Sequence, residues 1–162
     1  MTRTPTIAVL VENESGILAR VVGLFSGRGY NIESLTVAPV DDEKRLSRIT
    51  VVTTGTDMVI EQIKAQLERM VPVHRVNDLT VEGPSVQREL ALFKVAGGGD
   101  KRVEALRLAD IFRANVVDST LESFVFEITG TPEKIDAFAD LMRPLGLCDV
   151  ARTGVAALAR GV

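Results

Sequence analysis

Ile7-Ala8-Val9-Leu10-Val11-Glu12-Asn13-Glu14-Ser15-Gly16-Ile17-Leu18 is the stretch on which the reading of this chain turns. Its first five residues form an unbroken apolar run, which predicts a short strand covered on both faces. Polar residues and a glycine follow, and then Ile17, Leu18, Val21, Val22 and Phe25 recur at helical spacing. Asn13 or Ser15 suits the N-cap of that helix, and Gly27 or Gly29 its end. The stretch therefore reads as strand, tight loop, helix. Onward from it, 31–40 and 46–54 read as two strands joined through the charged tip Asp41-Asp42-Glu43-Lys44-Arg45. Ile60, Ile63, Leu67 and Met70 mark a second helix, and 72–79 a fourth strand, giving the order βαββαβ.

Glu82-Gly83-Pro84-Ser85 punctuates the chain as a linker, and the same order then returns. A strand is expected over 89–96, a helix over 100–113 and a hairpin over 116–120 and 124–129. A helix over 132–142 follows, capped by Thr131 with Pro132 in its first turn, and a last strand over 147–152. Thr54-Gly55-Thr56 recurs as Thr129-Gly130-Thr131, and Asn31-Ile32 as Asn115-Val116. The fold class is α+β, with two ferredoxin-like βαββαβ domains at 1–80 and 86–162.

Composition narrows the function. The chain has 162 residues, 46% of them apolar, enough for real cores. A net charge of -3 argues against nucleic acid or an anionic membrane as partner, since both need concentrated Lys and Arg. No apolar run approaches the ~20 residues that span a bilayer. One cysteine, Cys148, excludes an internal disulfide and suits a reducing compartment, so a cytoplasmic location is expected.

Catalytic chemistry is hard to assemble from these residues. His74, the only histidine, falls in the fourth strand, where it is expected to be structural or exposed. Metal sites want several converging ligands, and the HExxH and CxxC spacings are absent. Cys148, in an apolar strand context, is expected in the core. Gly97-Gly98-Gly99 precedes a helix, but Arg102 occupies the sixth position of the dinucleotide fingerprint, so the glycines read as a flexible turn. No catalytic residue, metal ligand or cofactor is assigned to this chain. The loop 13–16 is the better candidate. N–H groups at a helix start lack partners and suit a small carboxylate. Gly16 permits close approach, and Asn13 offers an amide. An ordinary capped helix start would use the same residue types.

Asn13-Glu14-Ser15-Gly16-Ile17-Leu18-Ala19-Arg20-Val21 resembles the opening of the ACT domain in acetohydroxyacid synthase small subunits. Gly23-Leu24-Phe25-Ser26-Gly27-Arg28-Gly29-Tyr30-Asn31-Ile32-Glu33-Ser34-Leu35-Thr36-Val37-Ala38 continues the likeness, and a weaker match extends to Arg152-Thr153-Gly154-Val155. The resemblance implies a non-catalytic regulatory subunit that homodimerises through ACT domains at 1–80. It implies valine bound between two such domains, activation of a catalytic large subunit, and feedback inhibition of branched-chain amino-acid synthesis. Thiamine diphosphate, magnesium and FAD would belong to the large subunit. Carried over position by position, Asn13 and Gly16 belong to the carboxylate loop, and Ser15 is a further valine-binding residue. Asn31 would come from the partner chain, and Ile17, Leu18, Ile32 and Val37 would wall the pocket.

Three rivals compete with this reading. Another ACT-type sensor would share the loop but not need 29–38. An RNA-binding domain would want aromatic strands and basic charge; 46–54 and 89–96 offer only Phe93. A free-standing enzyme lacks its constellation. The lack of a polar face along 7–11 adds that something beyond the domain's own helices must cover its sheet.

Overall fold

The computed structural model describes residues 1–161. The elements are β1 (Thr2–Arg3), β2 (Thr6–Glu12), α1 (Ile17–Gly27), β3 (Asn31–Asp41), β4 (Leu46–Thr56), α2 (Asp57–Glu68) and β5 (Val73–Asp78). They continue with β6 (Ser85–Ala96), α3 (Gly99–Ile111), β7 (Asn115–Ser119), β8 (Ser123–Gly130), α4 (Pro132–Met142), a 3-10 turn (Arg143–Leu145), β9 (Leu147–Arg152) and β10 (Ala156–Ala159). Two compact units result. One comprises Met1–Val86 and the C-terminal residues from Val155 onward; the other is Gln87–Gly154.

In the first unit the antiparallel sheet runs β5–β2–β4–β3, with β1 continuing along β4. Ile7, Val9 and Val11 of β2 and Ile49 and Val51 of β4 turn to the helices. They are buried against Val21 and Phe25 of α1 and Ile60, Ile63 and Leu67 of α2. Alternate residues of β2 face the other way. Ala8, on that face, is buried with Leu79, Val155 and Ala157. The expectation that 7–11 is covered on both faces therefore holds, and the C-terminal residues supply part of the second cover.

The second unit repeats the order, β9–β6–β8–β7, all antiparallel. Its core is aromatic: Phe138 of α4 meets Phe93, Phe112 and Phe126 edge-on at ring-centroid distances of 5.2, 5.4 and 6.1 Å. Such pairs add about 0.5–1.5 kcal/mol beyond area burial. Glu89, buried at the start of β6's core stretch, is held by Arg152 of β9 through two bonds of 2.6 and 2.9 Å. The third arm of Arg152 reaches Asp136 on α4 at 2.7 Å. These carboxylates, Glu89 foremost, raise the guanidinium's pKa above its ordinary value.

The recurring Thr-Gly-Thr now has a physical meaning. Thr56 and Thr131 cap α2 and α4, each accepting from the N–H three residues on at 3.3 Å. The glycine before each lies tight under its helix: a Cβ on Gly55 would meet Val59 Cγ1 at 3.0 Å, and one on Gly130 would meet Lys134 Cδ at 2.5 Å.

Two expectations are corrected. Cys148 is exposed, its thiol directed at the Lys94 carbonyl at 3.5 Å. The β6–β9 register steps from Lys94↔Asp149 to Val95↔Leu147, so Cys148 is the extra residue of a bulge and is turned out of the core. Neither Asn13 nor Ser15 caps α1. Gly16 holds the N-cap with φ 85°, and no side chain bonds the first turn.

Candidate functional site

The loop between β2 and α1 is shaped from both sides. Asn13 N–H donates to the Arg45 carbonyl at 2.7 Å, and Glu14 N–H to the Glu12 carbonyl at 2.9 Å. Arg45 itself sits at φ 54°, a conformation that L residues avoid, which turns that carbonyl toward Asn13. Gly16 then takes the left-handed geometry that starts α1, and a Cβ placed there would meet nothing within 4 Å. The exposed helix start, with no side-chain cap, presents backbone N–H groups and their partial positive charge.

Around this loop lies an open depression of about 770 Å³, lined by Glu12, Asn13, Glu14, Ser15, Lys44, Arg45, Leu46 and His74. The lining holds both carboxylates, Glu12 and Glu14, and cations, Lys44 and Arg45, a mixture suited to a small zwitterion. His74 is half-exposed, with Nε2 3.3 Å from Glu12 Oε1. From sequence, His74 is weighed only as a metal or catalytic residue and Lys44 and Arg45 only as a hairpin tip, and none of them is placed at this loop. Only the β2–β4 and β2–β5 registers, which bring Leu46 beside Glu12 and Val73 beside Val11, place them here.

The expected residues fall into two groups. Asn13, Ser15, Gly16, Ile17 and Leu18 share the loop and first turn. Asn13, Ser15 and Gly16 are exposed, Leu18 is 37% exposed, and Ile17 is buried in the core. Asn31 and Ile32 open β3, where the Asn31 amide donates to Glu33 Oε1 at 2.5 Å and Ile32 packs partly against the core. Val37, 43% exposed, lies midway along β3 opposite Ile49. The two asparagines are far apart. Glu12 pairs with Leu46 and Asn31 with Thr54, at opposite ends of β4. Eight residues of strand separate those ends, roughly 26 Å at ~3.3 Å per residue.

Among the described residues no cluster of His, Cys, Asp or Glu could hold a metal ion. No helix there is long and apolar enough to cross a membrane.

Comparison with known proteins is direct. Residues 7–75 match the AHAS small subunit-like ACT domain, and residues 88–161 match the small subunit of acetolactate synthase. A probable acetolactate synthase small subunit of Archaeoglobus fulgidus is 49% identical over 156 residues, covering 96% of each chain. The chain belongs to the acetolactate synthase small-subunit family. The isozyme 3 small subunit of Escherichia coli is 48% identical, covering 96% of this chain and 94% of its own. The crystal structure of the acetolactate synthase small subunit from Thermotoga maritima superposes with a TM-score of 0.86 at 37% identity, covering 99% of both chains. The first unit is thus an ACT domain of this family, and the two-domain α+β architecture is shared with that solved member.

Proposed function

We propose that this chain is the non-catalytic regulatory subunit of a cytoplasmic acetolactate synthase. It activates the catalytic large subunit and confers feedback inhibition by valine. Valine binds where the 13–16 loop of one protomer meets Asn31 of a second copy. The carboxylate of valine lies against the α1 N–H groups and Gly16. Asn13 and Ser15 complete the polar contacts, and Leu18 and the partner's Ile32 and Val37 contribute the apolar wall. Ile17, buried, supports that wall from behind. Thiamine diphosphate, magnesium and FAD are assigned to the large subunit.

The observation that carries this reading is the separation of Asn13 and Asn31. One small molecule cannot touch two side chains some 26 Å apart at opposite ends of one strand. A two-fold axis at β3 removes the difficulty. Among the described residues β3 pairs only with β4, leaving its eleven-residue outer edge open. Long open edges invite pairing, and a two-fold pairing of like strands is antiparallel. The Asn31 end of one β3 then lies beside the partner's Asp41–Leu46 end, the same end of the sheet as the partner's Asn13 loop. Exposed Val37 and Val40 on β3 give the junction apolar area.

Reconstitution tests the function. The isolated chain, given pyruvate and the three cofactors, is expected to make no acetolactate. Added to the large subunit it raises turnover, and valine then lowers it. A rate that ignores either the chain or valine refutes the proposal.

A further inference from the structure

The sheet face of the first unit turned away from α1 and α2 carries Ala8 and Leu79, buried with Val155 and Ala157 and flanked by Val52. This cover is small, two short side chains, and it is fastened by polar contacts. Val155 N–H donates to Ser34 Oγ at 2.8 Å. Arg48 donates through Nη2 to the Ala157 carbonyl at 2.7 Å. Arg160 N–H donates to the Pro84 carbonyl at 2.9 Å. Arg48 makes its bond while half-buried, with Nε buried and unpartnered; burial first, and the neighbouring Arg75 second, depress its pKa. Ala156–Ala159 is in addition paired as β10 with β6, so Val155, just before that strand, is the residue seated through the Ser34 bond alone. A contact at a strand end opens more readily than the paired strand itself.

Its attachment points matter. Ser34 stands on β3 three residues beyond Asn31, immediately after the register irregularity between Ile32 and Ser34. Irregular strands bend locally, so a ligand that engages Asn31 acts on the part of β3 that can move. Val155 in turn follows Thr153, whose N–H donates to the Leu90 carbonyl at 3.0 Å, and Arg152, clamped to buried Glu89. Val155 rests on Ser34 of β3, and Ala157 on Arg48 of β4.

We infer that Val155–Ala157 is a latch on β3 and β4, and that its closed state, made by Val155 N–H on Ser34 and Arg48 on Ala157, is required for effector binding to become inhibition. This rests on the effector site proposed above. An effector inhibits only by favouring one of two states, and the latch supplies a discrete pair: seated on Ser34 and Arg48, or released.

The test uses the full chain reconstituted with the large subunit. Ser34→Ala removes the acceptor; Ser34→Thr keeps a hydroxyl on a residue suited to strands. Hydrogen exchange at the Val155 amide, measured without valine, reads the latch directly. Calorimetry reads valine binding, and the rate reads inhibition. In Ser34→Ala the Val155 amide is expected to exchange faster, with valine still bound at a Kd within about threefold of the parent. The roughly 5–150-fold coupling usual for an allosteric effector should meanwhile fall toward unity, and Ser34→Thr should restore it. Three results overturn the latch. Val155 exchange unchanged in Ser34→Ala means that the bond does not hold the segment. Inhibition intact despite faster exchange means that closure is not required. Loss of valine binding itself makes Ser34 part of the effector site. A parent chain that binds no valine sinks the effector site, a failure read separately in the parent control.

Discussion

Replacing Gly16 separates geometry from charge at the proposed effector loop. Its φ of 85° is costly for an L residue, and a Cβ there meets nothing within 4 Å. Gly16→Ala therefore destabilises through the backbone alone, by about 1–2 kcal/mol. Aspartate tolerates left-handed geometry better than alanine, so Gly16→Asp should cost less stability than Gly16→Ala. Valine binding should rank the two variants the other way. An aspartate carboxylate about 5 Å from the bound carboxylate, at an effective dielectric of ~20, adds roughly 3 kcal/mol of repulsion. That is about two orders of magnitude in affinity. The assays are denaturant unfolding followed on the first unit, and valine titration of the reconstituted enzyme. Gly16→Asp should lose inhibition while activation of the large subunit persists, and Gly16→Ala should keep more of the inhibition despite being less stable. If Gly16→Asp binds valine as the parent does, no carboxylate approaches Gly16. If stability and inhibition fall in the same order, the loss is one of folding and the electrostatic argument fails.

Two stability predictions probe the second unit and its contrast with the first. Arg152→Ala leaves the buried Glu89 carboxylate without its partner and should cost about 3–5 kcal/mol in denaturant unfolding of that unit. Arg152→Lys should recover little, because an ammonium cannot reproduce the two-pronged bond; full recovery would mean that charge alone suffices. Gly146→Ala would place a Cβ 1.9 Å from the Ala96 carbonyl oxygen at φ 108°, costing ~3 kcal/mol or more. Gly27→Ala, in open space at the end of α1, should instead stabilise by ~0.4–1 kcal/mol. Equal effects at the two glycines would contradict the packing described.

Much of the fold was legible because its signals are local. The run 7–11, the helical spacing from Ile17 to Phe25, and the paired Thr-Gly-Thr turns each state an element within a few residues. The features that escaped depend on register between distant strands. Cys148 is polar-facing only because β9 slips by one residue against β6. Lys44, Arg45 and His74 join the depression around the 13–16 loop only because β2 lies between β4 and β5. Gly16 takes the cap from its polar neighbours because the chain must turn left-handed there, a demand that the loop's composition permits without specifying. The seating of Val155 and Ala157 over Ala8 links residues about 150 positions apart, and no periodicity announces it. Within the candidate site, sequence grouped Asn13 with Gly16 by adjacency. The wide separation of Asn31 from both needed the pairing of β3 with β4.

The central claim is that each effector site draws Asn13 from one chain and Asn31 from another, and subunit mixing tests it most directly. Asn13→Ala and Asn31→Ala homodimers should each bind valine poorly, since every site then carries a defect. Unfolding and refolding the two variants together in equal amounts pairs them at random. About half of the dimers are then mixed, and each mixed dimer holds one site with both substitutions and one with neither. Calorimetric titration should therefore find about a quarter of all sites binding valine with parental affinity. If both variants lose binding, exchange of chains is confirmed, and mixing restores no parental sites, the effector site lies within one chain and the account of its geometry is wrong.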